Sequence, residues 1–248
     1  MSHVVGICGD SGSGKTTLSK RIASVLGDCL VLECDRYHKW ERGNDNWKTN
    51  THLSLESNHI ERMKFDVSEL VSRRSIVSHD YDHSTGKFTP PKVIPPKTNL
   101  VVCGLHALYC DEVFDVKVYM DTEDSLRTFW KIARDTSKRG YTVDSIKKQI
   151  EDRKDDFLQY VAPQKDWADI IVRFRSNVCD KLEMTKGIGT DLTLLVRNRV
   201  PKNILYQTYL NKGIGVDLSE QGEYYLLEFP AFNGDYYGCI VLAIQELL

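Results

Sequence analysis

The stretch at residues 4–17, VVGICGDSGSGKTT, joins a short apolar run to a glycine-rich segment that leads into a helix. Residues 9–16 satisfy the pattern G-x-x-x-x-G-K-[ST], whose glycines let backbone N–H groups converge on phosphate oxygens. Beyond it, Leu18, Ile22 and Leu26 are spaced as on one face of a helix. The strand, loop and helix together predict a phosphate-binding loop of the P-loop NTPase type.

The residue types in this loop predict ATP and Mg²⁺ as cofactors. The helix N-terminus adds a partial positive charge, Lys15 is expected to reach the β- and γ-phosphates, and the Thr16 hydroxyl is expected to ligate Mg²⁺. A chance match to the pattern is expected in about one chain in a hundred of this size. The candidate nucleotide-binding residues are Gly9, Asp10, Ser11, Gly12, Ser13, Gly14, Lys15, Thr16 and Thr17.

Strands and helices alternate along most of the chain. Apolar runs predict further strands at residues 29–34, 100–103, 116–120 and 170–174, and residues 90–96, PPKVIPP, read as an extended surface segment. Helical spacing predicts helices over residues 16–26, 60–73, 123–138 and 143–161. This alternation predicts an α/β, three-layer fold of the P-loop NTPase type with a mostly parallel sheet.

The last third of the chain has a different pattern. Residues 192–196 and 224–229 predict strands separated by glycine-rich turns, and residues 238–247 predict a final apolar helix. We therefore expect a P-loop core over residues 1–180 and a β-rich extension with a C-terminal helix over residues 181–248. The extension is expected to pack on the same domain.

Bulk composition limits the kind of protein. The chain has 248 residues, of which 41% are hydrophobic and 27% charged, and a formal net charge of −2 argues against a general nucleic-acid binder. No apolar run approaches membrane-spanning length and no secretory signal is seen, so a cytoplasmic location without membrane association is expected. Seven cysteines without a C-x-x-C pair favour reduced thiols over a zinc site or a disulfide framework.

The segment at residues 35–42, DRYHKWER, directly follows the second predicted strand. Strand tips at this edge of a parallel sheet face the phosphate loop, so the Asp35 carboxylate could take a proton from an attacking hydroxyl. The basic side chains of the segment suit a second anion, and they are Arg36, His38, Lys39 and Arg42. From composition alone, a solvated loop with an N-capping aspartate is an equal alternative.

A second basic cluster lies at residues 131–140, KIARDTSKRG, on and just past a predicted helix. Lys131 and Arg134 are three residues apart and share one helix face. Guanidinium groups placed over a transferring phosphoryl group stabilise its negative charge. An ordinary charged helix face is the alternative on local evidence.

Six stretches in the same order resemble the phosphoribulokinase/uridine kinase family, most closely its plant and cyanobacterial type. They span roughly residues 4–173. They are GDSGSGKTT, DRYHKWER, YDHSTGKFTPP from Tyr81, GLHALY from Gly104, KIARDTSKRGYT from Lys131 and IEDRKDDFLQYVAPQKDWADI from Ile150. The end of the chain is also similar to the family's C-terminal helix region, although the preceding β segment is much shorter than in plant-type members.

The resemblance implies roles for individual residues. The implied catalytic set has Asp35 as general base and is completed by Lys15, Arg134, Asp135 and Arg139. The implied substrate-binding set is Arg36, Tyr37, His38, Arg42, Tyr81, His83, His106 and Lys131. It also implies a small-molecule substrate and a homodimer.

Two positions depart from the family pattern. The strand before Gly104 normally ends in a glutamate expected to help hold Mg²⁺, whereas this chain has Cys103, and a neutral thiol is a poor ligand for that cation. Plant-type members carry a redox cysteine where this chain has Ser13, so thiol regulation of that kind is not expected. Among replacement acids, Glu33 shares a strand face with Asp35, Asp10 lies in the phosphate loop, and Asp35 itself, acting through water, is the simpler candidate. We expect Thr16, ATP oxygens and water to hold Mg²⁺, with Asp35 in the outer shell.

These observations support one leading hypothesis and two alternatives. The leading hypothesis is an ATP- and Mg²⁺-dependent kinase that phosphorylates a hydroxyl of a phosphorylated sugar, with D-ribulose 5-phosphate as the first candidate. The alternatives are a kinase for a nucleoside such as uridine or cytidine, or for another sugar or polyol, and a catalytically weakened ATP-binding regulatory protein.

Overall fold

The computed structural model describes residues 2–176, 190–229 and 234–248. The strands within these ranges are β1 (Val4–Gly9), β2 (Cys29–Glu33), β3 (Ile76–Ser78), β4 (Tyr81–Asp82), β5 (Lys87–Phe88), β6 (Lys92–Ile94), β7 (Asn99–Cys103), β8 (Val116–Met120), β9 (Ile170–Ser176), β10 (Thr190–Arg197), β11 (Asp217–Gln221) and β12 (Tyr224–Glu228). The α-helices are α1 (Lys15–Leu26), α2 (Ile60–Val71), α3 (Asp124–Arg139), α4 (Val143–Asp152), α5 (Lys154–Asp156), α6 (Lys202–Leu210) and α7 (Tyr236–Leu247).

One large sheet organises the described part of the chain. Its strand order is β11-β12-β10-β9-β8-β1-β7-β2, and the five strands from β9 to β2 run parallel. Every residue of the central strand β1 is buried, which explains its continuous apolar sequence. The prediction of an α/β fold with a mostly parallel sheet is therefore confirmed.

The predicted helix over residues 143–161 is interrupted. Helix α4 ends at Asp152, the single turn α5 follows, and residues 157–161 form a π-helical turn. The extended segment predicted over residues 90–96 contains β6, which pairs antiparallel with β3 in a separate two-stranded sheet. Strands β4 and β5 form a second small hairpin that leans over the carboxyl edge of the main sheet.

The C-terminal residues continue the main sheet. Strand β10 runs antiparallel to β9, and β12 and β11 follow in antiparallel pairs. The core cluster that contains Ile7 also contains Leu194 of β10 and Ile240 of α7. The boundary expected between residues 180 and 181 falls outside the described residues. Helix α6 and strand β11 were not predicted from the sequence.

The search for membrane spans was limited to the described residues. In that part of the chain, no helix has the length and apolar character needed to cross a bilayer.

Candidate active site

A cavity of about 760 Å³ opens where the parallel strands β1, β2 and β7 end. The phosphate loop closes one side of it, and the segment after β2 together with the β4–β5 hairpin closes another. Side chains from α3 and α4 cover it from above. The phosphate loop, the segment at residues 35–42 and the basic cluster at residues 131–140 therefore all contribute to one cavity.

The phosphate loop needs its glycines for both conformation and space. Gly12 and Gly14 have φ values of 90° and 97°, in the left-handed region that side chains disfavour. A Cβ added at Gly14 would lie 2.6 Å from the Tyr237 hydroxyl, and one at Gly12 would lie 3.0 Å from Cβ of Lys131. The loop is thus held between α3 and α7, with its backbone available to the cavity.

Some side chains of the phosphate loop line the cavity, and others pack against the surrounding structure. Lys15 lines the cavity and its Nζ donates to the Asp10 carbonyl oxygen at 2.7 Å. The Asp10 carboxylate instead pairs with Arg127 at 2.6 Å, and Ser13 is buried. Asp10 and Ser13 therefore support the loop from behind. The other predicted side chains that reach the cavity are Ser11, Thr16 and Thr17.

Asp35 lies in a 3₁₀ turn over residues 34–37 that begins at the tip of β2. Its Oδ2 accepts a hydrogen bond from Nε2 of His83 at 2.9 Å, while Nε2 of His38 lies 3.7 Å from Oδ1. Burial raises the pKa of Asp35, but the hydrogen bond from His83 and the nearby positive charge of Lys15 outweigh it and bring the pKa well below its usual range. The carboxylate is ionised and able to accept a proton.

His38 is one of several aromatic side chains that pack together beside Asp35. Its Nδ1 lies 2.8 Å from Oδ1 of Asn58, and burial lowers the pKa of this imidazole. Because Asn58 Oδ1 can only accept, Nδ1 carries the proton and Nε2 is directed at the cavity. The His38 ring also packs against those of His52 and Tyr81, with centroids at 4.6 and 5.4 Å.

Arg42 connects the acceptor side of the cavity to the segment after α3. Its Nη2 donates to the His83 carbonyl oxygen at 2.7 Å, and its guanidinium lies 5.2 Å from the centre of the Tyr141 ring. A Cβ at Gly86 would lie 2.4 Å from Cβ of Arg42, so the hairpin turn needs a glycine there. Arg42, Tyr81, His83 and Tyr141 all line the cavity.

Asp135 organises the cationic cluster of α3. It is 1% exposed, and its oxygens lie 2.7 Å from Nζ of Lys131, 2.7 Å from Nε of Arg134 and 3.4 Å from Nη1 of Arg139. Arg134 also donates to the Ser11 hydroxyl at 3.2 Å, which joins α3 to the phosphate loop. Burial lowers the pKa of Lys131 to about 8, against the effect of its bond to Asp135.

Three residues of the implied substrate-binding set point elsewhere. Arg36 is buried and pairs with Asp80 at 2.6 Å, and the Tyr37 hydroxyl donates to Asp66 at 3.2 Å. His106 is 2% exposed and its Nε2 lies 2.7 Å from the Leu53 carbonyl oxygen. None of the three is among the residues that line the cavity in the described chain. We therefore revise their expected role from substrate contact to support of the loops.

The structure adds residues that sequence reasoning did not assign. Arg153 lines the cavity, burial lowers its pKa, and its guanidinium has no hydrogen bond or ion pair with any residue that the structure describes. It lies in the stretch IEDRKDDF that carried the family resemblance, so a signal for it existed. Tyr237 of α7 lines the same cavity and hydrogen-bonds with Thr17. Only the tertiary fold brings it there.

Cys103 lies at the tip of β7, where the family pattern has an acid. It is 4% exposed, its thiol hydrogen-bonds with Ser19, and burial raises its pKa to about 12. A neutral, buried thiol does not suit Mg²⁺.

The remaining oxygen ligands of the cavity fit Mg²⁺ only in company with nucleotide phosphates. Among described residues there is no group of three or more His, Cys, Asp or Glu side chains placed to hold a metal. Thr16, Glu33 and Asp35 do line the cavity. Mg²⁺ keeps several waters and commonly takes one or two carboxylates plus phosphate oxygens.

Comparison with known proteins finds phosphoribulokinases and uridine kinases among the relatives of this chain. The phosphoribulokinase of Synechocystis sp. is 35% identical over 175 residues, covering 68% of this chain and 53% of that protein. The chloroplastic phosphoribulokinase of Spinacia oleracea is 32% identical over 191 residues, covering 68% and 48%. A uridine kinase from Oceanobacillus iheyensis is 30% identical over 187 residues, covering 68% and 85%. The chain spans about half the length of the phosphoribulokinases it matches.

A solved structure extends the likeness to nearly the whole chain. Phosphoribulokinase from Rhodobacter spheroides superposes with a TM-score of 0.72, covering 98% of this chain and 93% of that one at 19% identity, which supports the fold. The family model described as Phosphoribulokinase / Uridine kinase family matches residues 4–179. The chain therefore belongs to the phosphoribulokinase/uridine kinase family.

Proposed function

We propose that this protein is an ATP- and Mg²⁺-dependent kinase that transfers the γ-phosphoryl group to a hydroxyl of a phosphorylated sugar, with D-ribulose 5-phosphate as the first candidate. The main support for this proposal is the net positive charge of the cavity. Among the described residues, seven lysine and arginine side chains line it against three carboxylates. The cations are Lys15, Lys20, Arg42, Lys131, Arg134, Arg139 and Arg153, and the carboxylates are Glu33, Asp35 and Asp135.

This excess of positive charge is larger than one nucleotide needs. ATP with one Mg²⁺ carries a charge of about −2, and a phosphate monoester on the acceptor adds about −1.5 to −2 near pH 7. Such a pair would nearly balance the cavity, whereas an uncharged nucleoside would leave much of the excess uncompensated. Burying unpaired cations is costly, so the balance favours a phosphorylated acceptor.

The positive charges of the cavity also lie on two sides, as a nucleotide and a phosphorylated acceptor would require. Lys15 and the cluster around Asp135 lie at the phosphate loop, where they serve the nucleotide. Arg42 is on the other side, and Arg153 lies near charged groups of both sides, since Asp10 and Asp135 as well as Asp35 affect its pKa. Arg42 bonds the hairpin beside His83, and Arg153 is close enough to His38 to influence its pKa. A phosphate held by these two arginines would leave the sugar between them and Asp35.

In this mechanism Asp35 takes the proton of the acceptor hydroxyl as that oxygen attacks phosphorus. ATP supplies the phosphoryl group as the bond between its γ-phosphorus and the bridging oxygen breaks and ADP leaves, and Mg²⁺, when bound, would neutralise part of the phosphate charge. Lys15 and the arginines of α3 stabilise the charge that spreads over the phosphoryl oxygens. His83 orients the Asp35 carboxylate through its 2.9 Å hydrogen bond.

A substrate panel tests the proposal. ATP consumption by the purified protein is measured with ribulose 5-phosphate, other sugar phosphates, uridine and cytidine. The expected result is turnover of a phosphorylated sugar. Faster turnover of uridine or cytidine would establish the nucleoside alternative instead. Binding of ATP without turnover of any acceptor would favour the regulatory alternative.

Arg42→Met adds a test of charge to the panel, because it removes one acceptor-side cation and keeps a long side chain. The KM for the phosphorylated acceptor is expected to rise by about 10–100-fold, since a charged hydrogen bond contributes about 1.5–3 kcal/mol, while the KM for ATP changes much less. Arg74→Met is the matched control, because Arg74 pairs with Glu69 on the surface. Equal KM values for the acceptor in the two variants would contradict this placement of the phosphate.

A further inference from the structure

Two neighbouring strands end with a carboxylate and a thiol opposite each other. Glu33 is the last residue of β2, Cys103 is the last residue of β7, and they are register partners in a parallel pair. Partners in register direct their side chains to the same face of the sheet. Cys103 and Glu33 both line the cavity, as does Thr16 at the start of α1.

The Glu33 carboxylate differs from the other two acids in the cavity. Asp35 accepts a hydrogen bond from His83 at 2.9 Å, and Asp135 is enclosed by the cations of α3. Glu33 is partly buried, yet its side chain has no ion pair or hydrogen bond with any residue that the structure describes. A partly desolvated carboxylate without a protein partner is disfavoured unless a ligand compensates it.

We propose that Glu33 supplies the carboxylate that orients Mg²⁺ at the nucleotide, in place of the acid that the family pattern puts at position 103. The inference rests on the proposed ATP-dependent function. Mg²⁺ needs only one or two carboxylates beside the phosphates, and Thr16 offers an exposed hydroxyl in the same cavity. Compared with the family pattern, the carboxylate for the metal would lie on the neighbouring strand, at the tip of β2 instead of the tip of β7.

Asp35 was expected both to accept the proton and to lie in the outer shell of Mg²⁺. A carboxylate that coordinates a cation is a weaker proton acceptor, because the cation stabilises its ionised form. With Glu33 at the metal, Asp35 keeps its contacts with His83 and remains free to act as the base. The expected outer-shell role of Asp35 toward Mg²⁺ is replaced by Glu33 in this proposal.

Glu33→Gln tests the proposal through metal binding. Mn²⁺ replaces Mg²⁺ as a paramagnetic probe, and its affinity for the complex of the protein with a non-hydrolysable ATP analogue is measured by electron paramagnetic resonance. Since even the outer partners of metal ligands typically change metal affinity by about 10–100-fold, loss of a direct carboxylate ligand is expected to weaken Mn²⁺ binding at least tenfold. The variant's affinity for the analogue in excess EDTA is expected to equal or exceed that of the unchanged protein, because a negative charge near the phosphates has gone.

A second variant tests the register argument directly. In the double variant Glu33→Gln/Cys103→Glu, the carboxylate returns to the neighbouring strand tip, and most of the lost Mn²⁺ affinity is expected to return. Glu56→Gln is the matched control, since Glu56 is exposed and outside the cavity. Thermal unfolding of each variant confirms that the comparison is made between folded proteins.

The outcomes distinguish this inference from the proposed function. Unchanged Mn²⁺ affinity in Glu33→Gln, or a loss confined to Asp35→Asn, would overturn the assignment of Glu33 while the kinase proposal stands. Failure of the unchanged protein to bind the ATP analogue with any divalent cation would overturn both. Tighter Mn²⁺ binding by the double variant than by Glu33→Gln supports the proposal even when no acceptor is turned over.

Discussion

A hydrogen bond from His83 and the charge of the phosphate-loop lysine keep the Asp35 carboxylate ionised although burial acts against its charge. His83 provides the direct bond, and His38 lies near the second oxygen. His38 itself is fixed by Asn58, so its ring cannot turn freely. The proposed base therefore has a fixed orientation and the charge state that proton abstraction needs.

Asp35→Asn removes the proton acceptor with little change of shape. We expect kcat to fall by roughly 10²–10⁴-fold, which is the usual contribution of a positioned general base. The affinity for ATP should change little, because Asp35 lies on the acceptor side. Steady-state kinetics with the best acceptor of the panel provide the measurement, and a loss below tenfold would remove Asp35 from this role.

His83→Phe tests the cause of the low pKa of Asp35. Phenylalanine keeps a ring beside Tyr81, whose centroid lies 5.2 Å from that of His83, but it cannot donate a hydrogen bond. With burial unchanged and the bond lost, the pKa of Asp35 should rise. Protonation of the base would then begin at a higher pH, so the acid limb of the kcat profile should move upward.

The control for this shift is His59→Gln, at an exposed histidine outside the cavity. Its acid limb is expected to match that of the unchanged protein. An acid limb in His83→Phe that coincides with both would show that His83 does not set the protonation of the base.

Residue spacing alone did not show which side chains of DRYH face the cavity. The segment forms a 3₁₀ turn, in which residues three apart lie on the same side. Asp35 and His38 therefore both reach the cavity, whereas Arg36 and Tyr37 turn toward Asp80 and Asp66. In an α-helix or an extended segment, other residues of DRYH would lie on the same side. The sequence has no feature that distinguishes those conformations from a 3₁₀ turn.

Among the elements, the phosphate loop is packed from two directions. Helix α3 approaches it at Gly12, and helix α7 approaches it at Gly14 through the Tyr237 hydroxyl. The first contact could be anticipated because α3 carries the basic cluster expected over the phosphates. The second could not, because α7 lies more than 200 residues further along the chain and has no motif of its own.

Gly14→Ala should therefore weaken nucleotide binding for a local steric reason. The new Cβ would meet the Tyr237 hydroxyl at 2.6 Å, and φ is 97° at this position. We expect ATP affinity, measured by equilibrium titration, to fall at least tenfold. In Gly14→Ala/Tyr237→Phe the nearest ring atom is 3.7 Å away, so part of the affinity should return.

Gly27→Ala is the control for backbone strain alone. Gly27 has φ of 63° and no atom within 4 Å of an added Cβ. It should lose about 1–3 kcal/mol of stability, because φ of 63° with ψ of 176° is a backbone conformation that only glycine adopts readily, and it should keep its ATP affinity. Equal ATP affinities in the single and double Gly14 variants would contradict the steric explanation.

The missed elements show where local patterns are weak. Strand β11, with the sequence DLSEQ, is an edge strand whose residues are nearly all exposed, so it lacks alternation of apolar and polar residues. Helix α6 buries only Leu205 and Tyr209, four residues apart, and presents Ile204 and Leu210 to solvent. The parallel strands were predicted because burial on both faces makes them continuously apolar.

At the scale of the whole molecule, the extension and the P-loop core share one hydrophobic core. The largest cluster of buried side chains includes Leu18 of α1, Phe174 of β9, Leu227 of β12 and Ile244 of α7. The sequence predicted an extension packed on the same domain, and we propose that the two regions unfold together. Its shape was harder to predict, because antiparallel pairing between β9, β10 and β12 depends on contacts between distant residues.

Ile240→Ala tests this cooperativity from the end of the chain. Ile240 is 0% exposed in the shared core, and truncation of a buried isoleucine costs about 2–5 kcal/mol. We expect the whole protein to melt at a lower temperature in a single transition, with loss of ATP binding at that same temperature. Ile204→Ala makes the same chemical change at a side chain that is 45% exposed, and it should leave the melting temperature nearly unchanged. Two separate transitions in Ile240→Ala, with ATP binding retained through the first, would show that the C-terminal region folds independently of the phosphate site. A single transition would mean that α7 stabilises the phosphate loop through the common core.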